Sequence, residues 1–259
     1  MAFRILNIIC ILFFLKAFAF AQEISPESQA LYDEALVAKE DGHLLKARED
    51  LEKLLTKHPE FPQISHVKEE WRHVMWRIIV SNTPVPESVI YDVKSGDSLE
   101  KIAKHFGTTI ELIKKRNRLI THQINPGQKL SLWSKPFTIY ISKSSNFLGV
   151  YMDGRIIKLY RVSTGKSETT TPLGEFTIQS RYPNPVWFHK GEIVASQSPE
   201  NWLGTRWLGF NKPKYGIHGT IYPELIGQSV SGGCIRMKNE DVEELYDLIP
   251  IGTKVIIKP

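Results

Sequence analysis

The spacing of apolar residues changes along this 259-residue chain. Between residues 25 and 80 apolar side chains recur every three or four positions, which predicts amphipathic helices. Between residues 136 and 259 they alternate, which predicts strands that have one buried face. Pro84 and Pro86 exclude a helix that continues beyond the first region. The chain is therefore predicted to fold as several units, in a multidomain α+β protein.

The first of these units, residues 22–82, is predicted to be a helical hairpin followed by a further helix. Gly42 breaks the periodic pattern and Pro59 ends it. The hairpin resembles one tetratricopeptide unit, with the small residues Ala35 and Ala47 where paired helices approach closely. Because one repeat does not bury its own apolar face, we expect it to pack on the next helix or on a protein partner.

The further helix, "SHVKEEWRHVMWRIIVS", carries two tryptophans. Trp71 and Trp76 either belong to the core or form a groove for a protein partner. Residues 83–89 form a linker, because their prolines interrupt regular structure.

Residues 90–133 are predicted to form a compact unit with the order βααβ. Asp97, with Glu100 three residues later, is predicted to begin the first helix. This order, "VKSGDSLEKIAKHF" and "PGQKL" resemble a LysM domain, which implies binding to glycan that contains N-acetylglucosamine. The alternative is a degenerate copy that only spaces the neighbouring domain. The resemblance implies a glycan site formed by two loops, with Ser95, Gly96, Asp97, Ser98, Leu119, Ile120 and Asn125 as candidates.

The N-terminus reads as a signal peptide over residues 1–21. Arg4 precedes an apolar run over residues 5–15, and Ala19-Phe20-Ala21 forms a cleavage site of small residues. The run is shorter than the roughly 20 residues that span a bilayer, although an uncleaved anchor is the alternative. The sequence therefore predicts export to the periplasm or the cell wall.

Charge is spread unevenly over the chain. Without residues 1–21 the net charge is +3, with −5 over residues 22–90 and +5 over residues 91–135. A mildly basic surface suits an anionic wall, although an ordinary solvated surface explains it as well. The basic residues are too sparse to indicate nucleic-acid binding.

Cleavage of residues 1–21 would also remove one of the two cysteines. Cys234 is then alone and has no intramolecular disulfide partner, so it is either buried and inert or chemically used. His218, in "YGIHGT", precedes it by sixteen residues, and such a histidine is able to hold a thiol as a nucleophile. The sequence lacks the further Cys or His residues of a zinc site here, so we do not predict a zinc site.

Two local signals describe the last unit, residues 136–259. Asp153-Gly154 predicts a type I′ hairpin turn. Asn239 is placed to cap a helix over residues 240–248. The unit is predicted to be a mostly-β sandwich or barrel-like sheet with one late helix.

Four motifs in this unit resemble the L,D-transpeptidase catalytic domain: "TPLGEFTI", "NWLGTRWLGF", "GIHGT" and "SGGCIRM". The resemblance implies that Cys234 is the nucleophile and His218 the base, oriented by the carbonyl of Gly219. The amides of Gly233 and Cys234 are candidates for the oxyanion hole. Ser231 and Arg236 fit supporting positions. Gly232 departs from the pattern, because many members carry a second histidine there.

The resemblance further implies the substrate, a peptidoglycan stem tetrapeptide. Cys234 would form a thioester with the third residue and release the terminal D-alanine, and this chemistry would need no metal or organic cofactor. An amine of a neighbouring stem would then give a 3-3 crosslink, whereas water would give trimming. Carbapenems would acylate the same thiol. The alternative is a non-catalytic scaffold that binds peptidoglycan through LysM and a partner through the helical segment.

Overall fold

The computed structural model describes residues 25–166, 171–189 and 191–259, without the side chain of His189. The predicted signal peptide, residues 1–21, lies outside the described residues. Within the described ranges, no helix has the length and apolar character that a membrane span requires.

Three helices form the N-terminal segment. They are α1 (Pro26–Glu40), α2 (Leu44–Lys57) and α3 (Ile64–Val80). The Ser25 side chain caps α1 by accepting a hydrogen bond from the amide of Ser28. Gly42, with a φ of +79°, makes the turn between α1 and α2.

The βααβ unit consists of β1 (Ser88–Asp92), α4 (Leu99–Phe106), α5 (Ile110–Asn117) and β2 (Lys129–Trp133), with β1 and β2 antiparallel. The helix start predicted at Asp97 is wrong by one residue. Ser98 caps α4 by accepting from the Lys101 amide, while the Asp97 carboxylate accepts from the Lys94 amide and the Tyr91 hydroxyl. Asp97 therefore orders the loop before the helix.

The C-terminal unit is built on an eight-stranded mixed sheet in the order β13-β11-β10-β7-β14-β3-β4-β5. The strands are β3 (Thr138–Ser142), β4 (Phe147–Met152), β5 (Arg155–Arg161), β6 (Thr164–Gly165), β7 (Gly174–Pro183), β8 (Trp187–His189), β9 (Glu192–Val194), β10 (Arg206–Phe210), β11 (Gly216–His218), β12 (Ser229–Ser231), β13 (Ile235–Arg236) and β14 (Lys254–Lys258). Asp153 and Gly154 have φ values of 47° and 77° between β4 and β5, which confirms the type I′ turn.

Helix α6 (Asn239–Leu248) packs beside β10 and β11. The predicted capping by Asn239 is wrong, because Lys238 is the N-cap residue of α6 and Asn239 is its first helical residue. Its Oδ1 instead accepts from the amides of Thr205 and Thr220, each at 3.2 Å. Asn239 thus ties together the chain after β11 and the chain before β10.

One apolar core runs through the helical segment and the C-terminal unit. Trp71 is 4% exposed, and the Arg155 guanidinium lies 5.4 Å from its ring centroid. Lys158 lies 4.3 Å above the ring of Trp76. Both cations belong to β5, so the tryptophans of α3 pack against the sheet.

Arg116 joins the βααβ unit to the helical segment. Its side chain is buried, and Nη1 donates to the carbonyls of Ile78 and Ile79 at 2.9 and 2.6 Å. Nη2 donates to Ser131 Oγ at 2.9 Å. The last carbonyls of a helix have no partner within the helix, so Arg116 satisfies the end of α3. The predicted fold class is confirmed: a helical segment, a βααβ domain and a mostly-β domain.

Candidate active site

Strands β11 and β13 bring the motif residues together. The two strands are parallel, and Ile217 pairs with Ile235 while His218 pairs with Arg236. Side chains alternate between the two faces of a strand. His218 and Arg236 therefore share one face, and Cys234 directly precedes β13.

His218 is buried and held in one tautomer. Its Nδ1 lies 2.7 Å from the carbonyl oxygen of Gly219. Because a carbonyl only accepts hydrogen bonds, Nδ1 carries the proton and Nε2 is left as the basic nitrogen. Trp207 stacks on the imidazole with ring centroids 5.9 Å apart, which fixes the plane of the ring.

Burial keeps this imidazole neutral. Desolvation lowers the pKa of His218 from 6.5 to about 4, and the charge of Arg236 acts in the same direction. The backbone carbonyls of Gly219 and Leu203 oppose the shift. At neutral pH the ring is consequently a base that is free to accept a proton.

Cys234 is half-buried and its thiol is protonated. Its Sγ donates a hydrogen bond to the carbonyl of Lys214 at 3.3 Å. Burial raises the pKa of Cys234, while the backbone at Gly216 and the charge of Arg236 lower it. Proton transfer to His218 therefore requires the thiol to leave the Lys214 carbonyl.

The loop that carries the thiol is held by two hydroxyl groups. Ser231 Oγ donates to the carbonyl of Cys234 at 2.6 Å and accepts from the amide of Gly233 at 3.1 Å. Thr171 Oγ1 donates to the carbonyl of Gly233 at 3.1 Å and accepts from the amide of Gly165 at 2.7 Å. The predicted use of the Gly233 amide in an oxyanion hole is corrected, because Ser231 occupies that donor. The Cys234 amide is left as the candidate.

Glycines pack tightly around the carbonyl that orients His218. A Cβ on Gly219 would collide with Oδ1 of Asn239, and so would a Cβ on Gly204. These positions accept no side chain while Asn239 bridges the two loops. Gly232 differs, since a Cβ there would meet no atom within 4 Å.

Sequence reasoning missed an aromatic cluster beside Arg236. The guanidinium lies 5.7 Å from the ring of Trp202, which stacks on Trp187 at 5.2 Å and meets Tyr222 edge-on at 5.9 Å. Trp202 and Trp207 lie in the motif "NWLGTRWLGF", which was the available signal. Among the described residues no carboxylate lies within 4 Å of Arg236, and its Nε is buried without a hydrogen-bond partner.

The candidate glycan residues of the βααβ unit lie in two loops, and several support the fold. Ser98 caps α4, Asp97 orders its loop, and the Gly96 carbonyl accepts from Lys101 Nζ at 2.8 Å. Ser95 and Asn125 are exposed, and Leu119 packs against the core of this unit. Ile120 is 93% exposed, so its side chain is available to a ligand.

We searched the described residues for groups of side chains that could hold a metal ion. No three His, Cys, Asp or Glu side chains in those ranges come together as potential ligands.

Two sequence models of known domain families match this chain. The sequence model of the L,D-transpeptidase catalytic domain (YkuD) matches residues 136–257, and that of the LysM domain matches residues 91–133. A putative L,D-transpeptidase YkuD of Bacillus licheniformis is 39% identical over 178 residues, which cover 66% of this chain and 99% of that protein. The putative L,D-transpeptidase YkuD of Bacillus subtilis is 36% identical over 173 residues, 64% of this chain and 97% of that protein.

A solved structure is also similar. It is L,D-transpeptidase 3 from Mycobacterium tuberculosis in complex with a faropenem-derived adduct, at 18% identity and a TM-score of 0.41. The match covers 51% of this chain and 65% of that one, a little under two thirds of its length.

The parallel strands that carry a thiol and a buried neutral imidazole thus belong to a catalytic domain of known type. The chain belongs to the L,D-transpeptidase family of enzymes and also contains a LysM domain.

Proposed function

We propose that this protein is an exported cysteine L,D-transpeptidase that acts on peptidoglycan stem tetrapeptides. The observation that carries the proposal is the parallel pairing of β11 with β13, which sets His218 opposite Arg236 and puts Cys234 directly before β13. The hydrogen bond from His218 Nδ1 to Gly219 supports it, since it leaves Nε2 as the base.

The first step forms the acyl-enzyme. The thiol leaves the Lys214 carbonyl and gives its proton to Nε2 of His218. The Cys234 sulfur then attacks the carbonyl carbon of the third stem residue, and the oxyanion is stabilised by the Cys234 amide. The protonated His218 gives its proton to the leaving amine of the terminal D-alanine, and a thioester remains on Cys234.

The second step resolves the thioester. An amine of a neighbouring stem, deprotonated by His218, attacks the thioester carbonyl and forms a 3-3 crosslink. Water in its place gives a shortened stem and trimming. In either case the sulfur leaves as thiolate and recovers its proton from His218. A carbapenem acylates the enzyme in the same way as the stem peptide, because the Cys234 sulfur attacks its ring carbonyl.

The positive charge of Arg236 favours the thiolate in both steps. It lowers the pKa of Cys234 against the effect of burial. The LysM domain is proposed to hold the enzyme on the glycan that carries the stems. Export, with cleavage after Ala21, is proposed from the N-terminal sequence and would place the enzyme in the periplasm or the cell wall.

A protein partner of the helical segment remains a proposal. The buried face of this segment packs on the rest of the chain. Among the described residues of the segment, Val37 and Leu45 are the large exposed apolar ones, 61% and 47% exposed, and are the contacts that such a partner would use.

The test is release of D-alanine from purified tetrapeptide muropeptides. Cys234→Ala should reduce release to the uncatalysed level, because the thioester does not form without the sulfur. A matched control is Lys104→Ala, an exposed position on α4. Intact-mass measurement with a carbapenem should show one adduct on the wild type and none on Cys234→Ala. Full release of D-alanine by Cys234→Ala would reject the proposed cysteine L,D-transpeptidase. A wild type that neither releases D-alanine nor forms an adduct would favour the non-catalytic scaffold.

A further inference from the structure

A second candidate binding surface lies on the outer face of the sheet. It is a cavity of about 370 Å³ lined by Pro136, Thr138, Tyr140, Tyr151, Asp153 and Gly154. We name these six residues the tyrosine platform. The site begins at Pro136, shortly after β2 ends at Trp133, and lies outside the loops predicted to bind glycan in the LysM domain.

Strand register places the platform on the face opposite the core. Ile139 and Ile141 of β3 are buried, so Thr138 and Tyr140 face outwards. Tyr151 pairs with Thr138, and Gly149 pairs with Tyr140. Both tyrosine rings therefore lie on the outer surface, and Tyr140 is 36% exposed.

Gly149 allows the two rings to meet. A Cβ at this position would lie 2.7 Å from Cε2 of Tyr151, closer than any carbon contact permits. The ring of Tyr151 thus lies across the glycine and meets Tyr140 edge-on, with centroids 4.7 Å apart and planes at 63°. The pair forms an angled aromatic wall, which a flat exposed strand would not offer.

The chemistry of the platform suits a neutral sugar. Aromatic rings present apolar faces to the C–H groups of a pyranose, and the hydroxyls of Thr138 and the tyrosines exchange hydrogen bonds with its hydroxyls. The carboxylate of Asp153 accepts further hydroxyl donors. Its charge is balanced by Lys135, whose Nζ lies 3.3 Å away, so the site selects neither strong anions nor cations.

From these observations we infer that the tyrosine platform is a second glycan-binding site that holds the sugar chain against the catalytic domain. The proposal rests on the proposed function for the identity of the polymer, peptidoglycan. The LysM domain and the platform together would contact one strand at two points. Two linked weak sites bind a polymer more tightly than either does alone.

The test uses the full chain and a hexamer of N-acetylglucosamine, which has no stem peptide. Hydrogen–deuterium exchange should slow over residues 138–142 and 149–154 as well as in the LysM domain. Tyr140→Ala should weaken binding by about fivefold to tenfold and abolish protection of the platform alone. Tyr140→Leu, which keeps apolar volume without a ring, should behave in the same way if the aromatic face matters.

The matched control is Tyr182→Ala, which removes another exposed tyrosine, 57% exposed on β7. It should leave both regions protected. Slowed exchange in the LysM domain alone would overturn the proposed second site. Slowed exchange over the tyrosine platform that persists in both Tyr140 variants would overturn it as well. An absence of protection everywhere would also overturn it. Release of D-alanine from muropeptides is a separate readout, so failure of the platform is distinguishable from failure of the proposed enzyme.

Discussion

Two arginines, Arg116 at the domain junction and Arg236 in the candidate active site, differ in how many hydrogen bonds their guanidinium groups make. The terminal nitrogens of Arg116 donate three hydrogen bonds to Ile78, Ile79 and Ser131. Among the described residues Arg236 has the ring of Trp202 and no acidic partner. The Nε atoms of both arginines are buried without an acceptor, and Arg116 also lies over a tryptophan, so the contrast lies in the hydrogen bonds from the terminal nitrogens of Arg116. Burial lowers the pKa of Arg116 to about 10 and lowers the pKa of Arg236 as well.

The difference separates a group that holds the fold from a group that is poised for a ligand. A buried cation costs free energy unless hydrogen bonds replace its water. Arg116 recovers that cost within the protein, at the end of α3. Arg236 is half-buried beside a thiol, and no carboxylate of the described residues supplies the missing negative charge, which a thiolate or a substrate would provide. Substitution of Arg116 is therefore expected to lower the stability of the fold, whereas substitution of Arg236 is expected to lower the reactivity of the thiol.

The largest effect is expected at the junction. Arg116→Ala removes the donors of the Ile79 carbonyl and the Ser131 hydroxyl and leaves the Ile78 carbonyl with the longer bonds from Ser81, which should reduce the free energy of unfolding by about 3 to 5 kcal/mol. Urea denaturation measures the loss, with Lys104→Ala as an exposed control that should change stability by less than about 0.5 kcal/mol. A loss below about 1 kcal/mol would show that the Arg116 contacts do not hold the segments together.

Acidification should reveal the buried imidazole of the active site. The pKa of His218 is about 4 in the folded chain and about 6.5 when unfolded, so the unfolded state binds more protons between these values. Stability should therefore fall by about 3 kcal/mol as the pH drops from 6.5 to 4. His218→Gln should flatten the dependence over this range. Equal slopes for the two proteins would contradict a neutral buried ring.

Local patterns in the sequence predicted the architecture well. Helical spacing, paired prolines and alternation separated the helical segment from the β domain, and the motifs placed Cys234 and His218 in one domain. These signals succeed because amphipathic periodicity and turn chemistry act over a few residues.

Contacts between distant segments were not predicted. Asn239 fits the pattern of a helix cap, yet its oxygen bridges the loops at Thr205 and Thr220. The amide of Gly233 looked free for an oxyanion because nothing in the sequence shows that Ser231 folds back onto it. The junction made by Arg116 has no local signal either, since the two α3 carbonyls that accept from it lie 38 and 37 residues away.

A smaller effect is expected at Arg236. Because its charge lowers the pKa of Cys234, Arg236→Gln should raise the pKa of the thiol and slow alkylation by iodoacetamide at pH 7.5, by about tenfold per unit of pKa. The wild-type rate should rise with pH up to and beyond 9, without an inflection near 6.5. Unfolding free energy should change less than in Arg116→Ala. Unchanged alkylation with a large stability loss would place Arg236 with the junction instead.

The smallest effect on stability is expected at Gly232, where the family pattern often has histidine. Its φ lies outside the left-handed region and a Cβ meets no atom within 4 Å, so Gly232→His should change the free energy of unfolding by less than about 0.5 kcal/mol. An exposed imidazole beside the thiol titrates near pH 6.5 and is positively charged below it, which favours the thiolate there. The variant should therefore gain an inflection near pH 6.5 in the alkylation profile that the wild type lacks. Gly232→Gln is the control of similar size without a titrating ring, and an inflection in that variant would attribute the change to packing rather than charge.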